Sequence, residues 1–489
     1  MSLGFTVRRS AYFDSVVLMR VAEQARQLTG VTEVAAVMGT PANRAMLAEA
    51  GMLPPDASTT DASDLLVVVS ASTDDAARAA LARVGELLAV RRDAGPAADD
   101  VKPRTLVSAA RAGAPNIAVV AVPGPYAALE AHQALSAGLH VFLFSDGVAL
   151  EDEIALKRRA RARGLFVMGP ECGTSIIHGV GLGFANRVRR GAIGVVGASG
   201  TGIQEVTTLV HRLGAGISHA IGTGGRDLHA AVGGITTLQA LERLGADAGT
   251  RVIVIVSKPS SREVADGVLA AAARIGKPVI ACLLGYDGAT PDGVRAMATL
   301  EEAAVAAARL VNGKVGELDR SGGVVRTGAP GAIRGLFTGG TLCDEAQRLA
   351  SGPTQLAGEM THRFVDFGAE EYTRGRPHPI IDPSRRHAAI LDVAEEPGIR
   401  VLLLDLVLGD CAHPDPAGAL DPVLAGAYER ARRGGRELAV VAHVVGADGD
   451  AQDLARQEDT LRKRGVVVCA SNRMAALTAR SLAEGRDVV

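Results

Sequence analysis

The sequence predicts an α/β fold in which doubly wound parallel-sheet domains follow one another, preceded by a smaller ferredoxin-like α/β module. Three observations predict it. Short apolar runs alternate with helix-period stretches along nearly the whole chain of 489 residues. Small residues dominate, with 58 Gly, no Trp and only 3% aromatics, which lets helices lie close on a parallel sheet. Glycine-rich turns also recur where a strand hands over to a helix.

A chain of this length is too long for one hydrophobic core, and the pattern divides into four units. Residues 1–93 carry strands at Gly4–Val7, Thr32–Met38 and Leu65–Ser70. Helices fall between and after them, at Ser10–Leu28, Ala42–Ala50 and Thr73–Val90. The charged stretch Arg91–Arg104 holds Pro and Gly without periodicity and reads as a linker. Residues 105–187 form the next unit, with strands Ile117–Val122, His140–Phe144 and Leu165–Met168, two helices, and the turn Gly169–Thr174. Residues 188–313 repeat the alternation with strands Gly194–Val196, Ile217–Ile221, Val252–Val256 and Val279–Leu283. After a Gly-rich connection at Asn312–Arg326, residues 327–489 give strands Ala332–Phe337, Val401–Leu404, Leu438–His443 and Val466–Cys469, with a helix at Leu342–Leu349.

Bulk properties exclude several function classes. A net charge of −2 argues against a nucleic-acid binder. The five cysteines (172, 282, 343, 411, 469) are scattered and form no CxxC, which speaks against a disulfide framework or structural zinc and for a reducing compartment. No signal-peptide core opens the chain, and no apolar run approaches the ~20 residues of a membrane span. A cytoplasmic protein with no membrane span and no metal is expected.

The stretch GAIGVVGASGTG (Gly191–Gly202) is the most informative motif. A short buried strand leads into the small-residue turn Gly197, Ala198, Ser199, Gly200, Thr201, Gly202, and a helix is expected over Ile203–Leu213. Such a turn gathers backbone N–H groups and the positive helix end around one point, which favours a phosphate or carboxylate. The spacing is neither GxxxxGK[ST] nor GxGxxG, and glycines in such turns also serve close packing alone. Two further turns share this character, Gly222–Gly225 with Gly224 and Gly225, and Thr338–Thr341 with Gly339, Gly340 and Thr341. Arg374, Arg376 and His378, with Arg385 and Arg386, concentrate in the Pro-rich stretch Thr373–His387. Guanidinium groups there suit carboxylate or phosphate, against the alternative of a solvated basic loop. Cys172 reads as a buried inert thiol rather than a nucleophile, since no paired histidine can be named. Asp405, Asp410, His413 and Asp415 match no metal spacing and read as turn or capping residues. No general base and no other catalytic residue is assigned.

In order along the chain, VPGPYAALEAHQALSAGLHVFLFSDGV (122–148), LKRRARARGLFVMGPECG (156–173) and GAIGVVGASGTGIQEV (191–206) resemble the α-subunit of succinyl-CoA synthetase. GAIRGLFTGGTLCDEA, followed by FVDFGAEE, is similar to the carboxy-terminal domain of its β-subunit. Together with SAYFDSVVLMR and VAAVMGTPANRAML, the whole arrangement most resembles the FdrA proteins. The resemblance implies a CoA-binding-like Rossmann domain at 105–187 and two flavodoxin-like, succinyl-CoA-synthetase-like domains at 188–313 and 327–489. It makes Gly197–Gly202 a phosphate loop and places Glu205 where that family has a glutamate contacting its phosphohistidine.

The chain also departs from the ligase pattern. The segment after Leu284, GYDGATPDGVRAMATLEEAA, holds no histidine, and neither a Gly-rich CoA loop, a Walker A lysine loop nor an ATP-grasp region is recognisable. The FdrA resemblance therefore implies a carbamoyltransferase subunit of purine or allantoin breakdown. It would move a carbamoyl group between carbamoyl phosphate and a small amide or amine acid such as oxamate, without phosphohistidine or cofactor. The implied partners are a small anionic substrate, carbamoyl or acyl phosphate, and other protein subunits. The alternatives are an NDP-forming acyl-CoA ligase, which would use CoA and ATP, and a non-catalytic anion-sensing scaffold.

Overall fold

The computed structural model describes residues 2–57, 60–93, 103, 105–316, 318, 330–351 and 361–486. The expected linker Arg91–Arg104 and connection Asn312–Arg326 lie largely outside the described residues. The chain divides into two compact units, Met1–Pro103 with Arg374–Pro377, and Arg104–Thr373 with His378–Val489.

The first unit runs β1 (Ser2–Arg8), α1 (Ser15–Arg26), β2 (Val31–Met38), α2 (Pro41–Glu49), β3 (Leu65–Ala71) and α3 (Asp74–Asp93). The strand order is β1-β3-β2, with β3 antiparallel to both neighbours, the arrangement of three of the four strands of a ferredoxin-like sheet, with no fourth strand among the described residues. β3 is buried on both faces and therefore reads as a continuous apolar run, LLVVV, without polar alternation. Thr40 accepts the Asn43 N–H and Pro41 opens the helix, so α2 starts where its cap dictates.

The second unit holds three sheets. α4 (Leu106–Gly113), β4 (Ile117–Val120), α5 (Gly124–Ser136), β5 (His140–Leu143), α6 (Leu150–Ala162) and β6 (Val167–Met168) build a three-stranded parallel sheet. Next come β7 (Thr174–Ile177), β8 (Val180–Gly183), β9 (Arg190–Ala198), α7 (Gly200–Arg212), β10 (Ile217–Gly222), α8 (Ile235–Ala246), β11 (Val252–Ser257), α9 (Arg262–Ala272), β12 (Val279–Leu283), β13 (Val294–Ala296) and α10 (Leu300–Asn312). Their sheet has the order β13-β12-β11-β9-β10-β7-β8. The last sheet comprises β14 (Ala332–Phe337), α11 (Gly340–Ala350), β15 (Arg363–Asp366), α12 (Glu370–Thr373), α13 (Ser384–Val393), β16 (Ile399–Val407), α14 (Pro416–Arg433), β17 (Ala439–Val445), α15 (Leu454–Lys463), β18 (Val467–Cys469) and α16 (Asn472–Ala483). It is parallel throughout, in the order β15-β14-β16-β17-β18.

Two features differ from the sequence reading. The hairpin β7–β8 joins the sheet built around β9, pairing antiparallel with β10, although its residues were expected to close the preceding unit. Strands this short, in the Gly-interrupted run TSIIHGVGLG, carry too little periodicity to be assigned. Helix α7 also starts at Gly200, three residues before the expected Ile203, because Ser199 adopts an extended cap conformation and its Oγ accepts the Gly202 N–H.

The two larger sheets share one topology. In each, the first parallel strand (β9, β14) lies between the second (β10, β15) and the third (β11, β16), which sets a switch point at its carboxyl end. Helices α7 and α11 leave from those ends. Between the sheets, α7, α10, α11 and α16 form one helical layer whose Val206, Leu209, Ala303, Ala307, Ala346, Ala350, Ala475 and Ala479 belong to a single buried cluster. Alanine at these positions lets the helices approach closely, and the shared core makes the two sheets one packed body.

Candidate functional site

Two helix N-termini meet across this body. The Ser199 Oγ, capping α7, lies 2.6 Å from Thr341 Oγ1 in the first turn of α11, a contact between residues 142 positions apart. At each end the first N–H groups have no intrahelical acceptor, so both positive helix ends converge there. A pocket opens in front of α7, lined by Glu171, Cys172, Gly173, Thr174, Gly197, Ser199, Gly200, Gly222, Gly224 and Gly225. Its cavity volume is about 10 Å³, room for about one water-sized group. Drug-sized ligands occupy roughly 300–1,000 Å³, so the pocket takes only the tip of a ligand, such as one oxyanion oxygen.

The glycines have separate reasons. A Cβ at Gly222 would collide with the Thr174 carbonyl, and one at Gly224, whose φ is +87°, with the Pro170 carbonyl. The Gly222–Gly225 turn thus lies directly against the Gly169–Thr174 turn. At Gly202 a Cβ would collide with Ser199 Oγ and stand 2.8 Å from Val256 Cγ1, whereas at Gly200 it would meet nothing nearer than 3.8 Å. Gly202→Ala is therefore expected to lose about 2 kcal/mol through the broken cap and overpacking. Gly200→Ala is expected to leave stability within about 0.5 kcal/mol. Urea midpoints of the two variants check this, and equal losses would refute the steric assignment.

A buried charge network braces the pocket from behind. Lys157 Nζ, fully buried on α6, donates to Glu153 Oε1 (2.7 Å), Asp227 Oδ1 (2.7 Å) and the Thr223 carbonyl (2.9 Å). Arg226 completes it through Glu153 Oε2 at 2.9 Å. Cys172 is buried beside Ser175, and burial pushes its thiol up to about 11, the inert state expected from the sequence.

The remaining candidates sit elsewhere. Glu205 does not face the pocket. It is buried, with Oε2 2.7 Å from His443 Nε2 and Oε1 accepting the Asn472 N–H at 3.0 Å. Its counterpart at the same position of α11 is Glu345, which accepts the Leu300 N–H (2.7 Å) and the Asn472 side-chain amide (2.8 Å). Each glutamate thus binds the first N–H of a helix from the opposite half, α16 for Glu205 and α10 for Glu345. In the Thr338–Thr341 turn, the Thr338 and Gly339 N–H groups are already taken by the Asp405 carboxylate (2.7 and 2.8 Å), which also pairs with buried Arg386 (2.9 Å). Gly340 and Thr341 remain at the helix start, where Lys258 reaches Asp366 at 3.6 Å; a Cβ at Gly340 would strike both side chains. The pattern around Lys258 carried no sequence signal; only the approach of β11 and β15 to α11 brings it there. Arg374 and Arg376 are exposed after α12 and are not among the pocket-lining residues. His378 is half-buried, its ring centroid 5.6 Å from that of Phe184 at a tilt of 41°, and burial holds it down to about 4, hence neutral. Asp415 caps α14 through the Gly418 N–H, as expected.

Three family models match the chain: the AllF heavy metal-associated domain over residues 1–103, the CoA binding domain over 188–283 and the CoA-ligase domain over 336–482. Residues 1–103 contain no Cys or His and so offer no thiolate or imidazole donor to a heavy-metal ion. Among the described residues no group of three or more His, Cys, Asp or Glu could hold a metal, and no helix is long and apolar enough to cross a membrane. The succinate–CoA ligase [ADP-forming] subunit alpha of Aquifex aeolicus is 28% identical over 39% of this chain and 63% of its own length. A dinucleotide forming acetyl-coenzyme A synthetase 1 from Ca. Korarchaeum cryptofilum aligns over 80% of this chain and 88% of its own, at 15% identity and a TM-score of 0.36. These matches correct the expected activity. The matched units are those of CoA ligases and not of carbamoyltransferases, so transfer between carbamoyl phosphate and oxamate gives way to the ligase alternative. YahF of Escherichia coli (strain K12) is 37% identical over 98% of both chains, and this chain belongs to its family, which carries succinyl-CoA synthetase-like CoA binding and CoA-ligase domains.

Proposed function

We propose that this protein performs acyl transfer of the NDP-forming acyl-CoA ligase type, exchanging the phosphate of an acyl phosphate for CoA in front of α7. The supporting observation is the 2.6 Å contact of Ser199 with Thr341, which brings the helix N-termini of two ligase-type domains together beside one small pocket. Phosphate leaving an acyl carbon gains negative charge, and the uncapped N–H groups at Gly200 and Thr201 point where that charge develops. No reorganisation is needed, because the Ser199 cap and the Lys157 network already hold the walls.

A ligase of this type passes the phosphoryl group through histidine, yet the segment after Leu284 has none. His443 does not take its place, being buried and paired with Glu205. The phosphoryl group is accordingly held by backbone and hydroxyl donors and stays on the substrate. Nucleotide-dependent formation of the acyl phosphate then belongs to a partner subunit. The purified protein, mixed with acetyl or succinyl phosphate and CoA, is expected to release phosphate and form thioester. Addition of ATP alone is expected to leave no acid-labile phosphate on the chain. Absence of thioester with every acyl phosphate, with and without co-purified partners, would refute the proposal.

A further inference from the structure

Glu171 stands at the mouth of the α7 pocket, where its charge state modulates how strongly an anion is held. It shares the wall with Gly173, Thr174, Gly200 and Gly225. Its backbone is left-handed, φ +57°, which is uncommon outside glycine. Two hydrogen bonds hold that conformation: the Glu171 N–H donates to the Ser145 carbonyl (3.0 Å) and the Cys172 N–H to that of Leu143 (3.2 Å). The carboxylate lies close to Gly225, where a Cβ would stand 4.0 Å from Oε2, in ordinary contact. The same wall has a second feature that calls for a ligand. Thr174 is 1% exposed, and its Oγ1 finds no hydrogen-bond partner in the protein. That hydroxyl lines the pocket beside Gly200, poised for an acceptor oxygen.

The charges around Glu171 come from four elements: Arg226 after β10, Asp146 after β5, Glu370 on α12 and Glu153 on α6. Desolvation is the largest influence and raises the Glu171 pKa; Arg226 opposes it, and the three carboxylates reinforce it. Arg226 is itself committed to Glu153 and to the Val148 carbonyl at 2.8 Å. The net effect is upward from the ordinary glutamate value, at a residue that is itself exposed at the pocket mouth.

We propose that Glu171 is the proton carrier of this pocket, shuttling a proton from the incoming thiol to the departing phosphate. This rests on the acyl-transfer reading above. The ionised carboxylate takes the S–H proton, and the sulfur electron pair forms the new C–S bond at the acyl carbon. The C–O bond to phosphorus-bound oxygen then breaks, its electron pair staying on phosphate, and Glu171 returns the proton to that oxygen. Glu171 ends as it began, and the products are thioester and hydrogen phosphate.

The test combines kinetics with anion binding. Glu171→Gln, in the full chain with acetyl phosphate and CoA, is expected to lower kcat about 10²–10³-fold and remove the pH dependence that Glu171 imposes. Glu171→Asp is expected to restore part of the rate. Sulfate, which stays dianionic across the range, serves as a binding probe. Its affinity for the wild-type protein is expected to fall at least about tenfold as pH rises above the ordinary glutamate value of 4.5 and Glu171 ionises, and to vary clearly less in Glu171→Gln. An unchanged kcat in the Gln variant, or wild-type sulfate affinity independent of pH, would overturn the assignment. Sulfate binding with the expected pH dependence but no thioester from the wild type would instead overturn the acyl-transfer reading on which the proton shuttle depends.

Discussion

Replacing Lys157 by methionine is expected to destabilise the larger unit by roughly 3–5 kcal/mol, the cost of breaking a buried ion pair from one side. Methionine preserves most of the volume, so the loss is electrostatic. Glu153 would keep only Arg226, and the Thr223 carbonyl would lose the ammonium donor that holds it. Asp227 would keep the Thr237 N–H (2.8 Å) and hydroxyl (2.7 Å). Because Thr223 belongs to the glycine turn, ligand affinity is expected to fall together with stability. The chain has no Trp, so far-UV circular dichroism in urea is the suitable readout. A loss below about 1 kcal/mol would show that the remaining partners already satisfy the two carboxylates.

Burial lowers the His378 pKa to about 4, so that group adds stability as pH rises toward 6.5, whereas the Glu345 contribution is expected to fall as pH rises from about 5 to 8. Burial pushes its carboxyl up to about 7; the Asn472 and Leu300 hydrogen bonds pull it down, and Glu205 and Glu301 add to the rise. A carboxyl whose folded pKa lies above its unfolded value holds its proton longer in the native state. Folding therefore loses free energy as pH climbs from 4.5 to about 7, by about 3 kcal/mol in all. His443 acts in the same direction. Burial alone would lower its pKa, but Glu205 overrides this and raises it. Its stabilisation is complete below the unfolded value of 6.5 and is lost as pH passes the raised folded value. Asp415 and Asp421, whose pKa values are lowered, titrate below this window. Comparing wild type with Glu345→Gln isolates one group: the variant's urea midpoint is expected to vary less between pH 5 and 8. Parallel pH profiles for the two proteins would refute the role of Glu345.

Much of the fold was legible in the sequence because its signals are local. The apolar strands and the glycine-rich turns act within a few residues of each other, although the Ser199 cap that sets the start of α7 was missed. The alternation of strand and helix therefore predicted the serial α/β domains and the turns at the ends of β9 and β14. The hairpin β7–β8 was hidden for the opposite reason. Its place is decided by pairing with β10, more than 30 residues on, and not by its own four-residue strands.

The site divides along the same line. From the sequence alone came the anion-friendly turn Gly197–Gly202, the inert character of Cys172 and the absence of histidine after Leu284. These follow from side-chain size, spacing and composition. Tertiary structure decided which of the candidate groups meet. It joined Ser199 to Thr341, gave the N–H groups of Thr338 and Gly339 to Asp405, and turned Glu205 away from the pocket toward a histidine 238 residues distant. The physical reason is that a buried carboxylate must find donors wherever packing places them. Helix α7 fixes the face on which Glu205 lies, but only the opposing sheet, with His443 and Asn472, determines what that face touches.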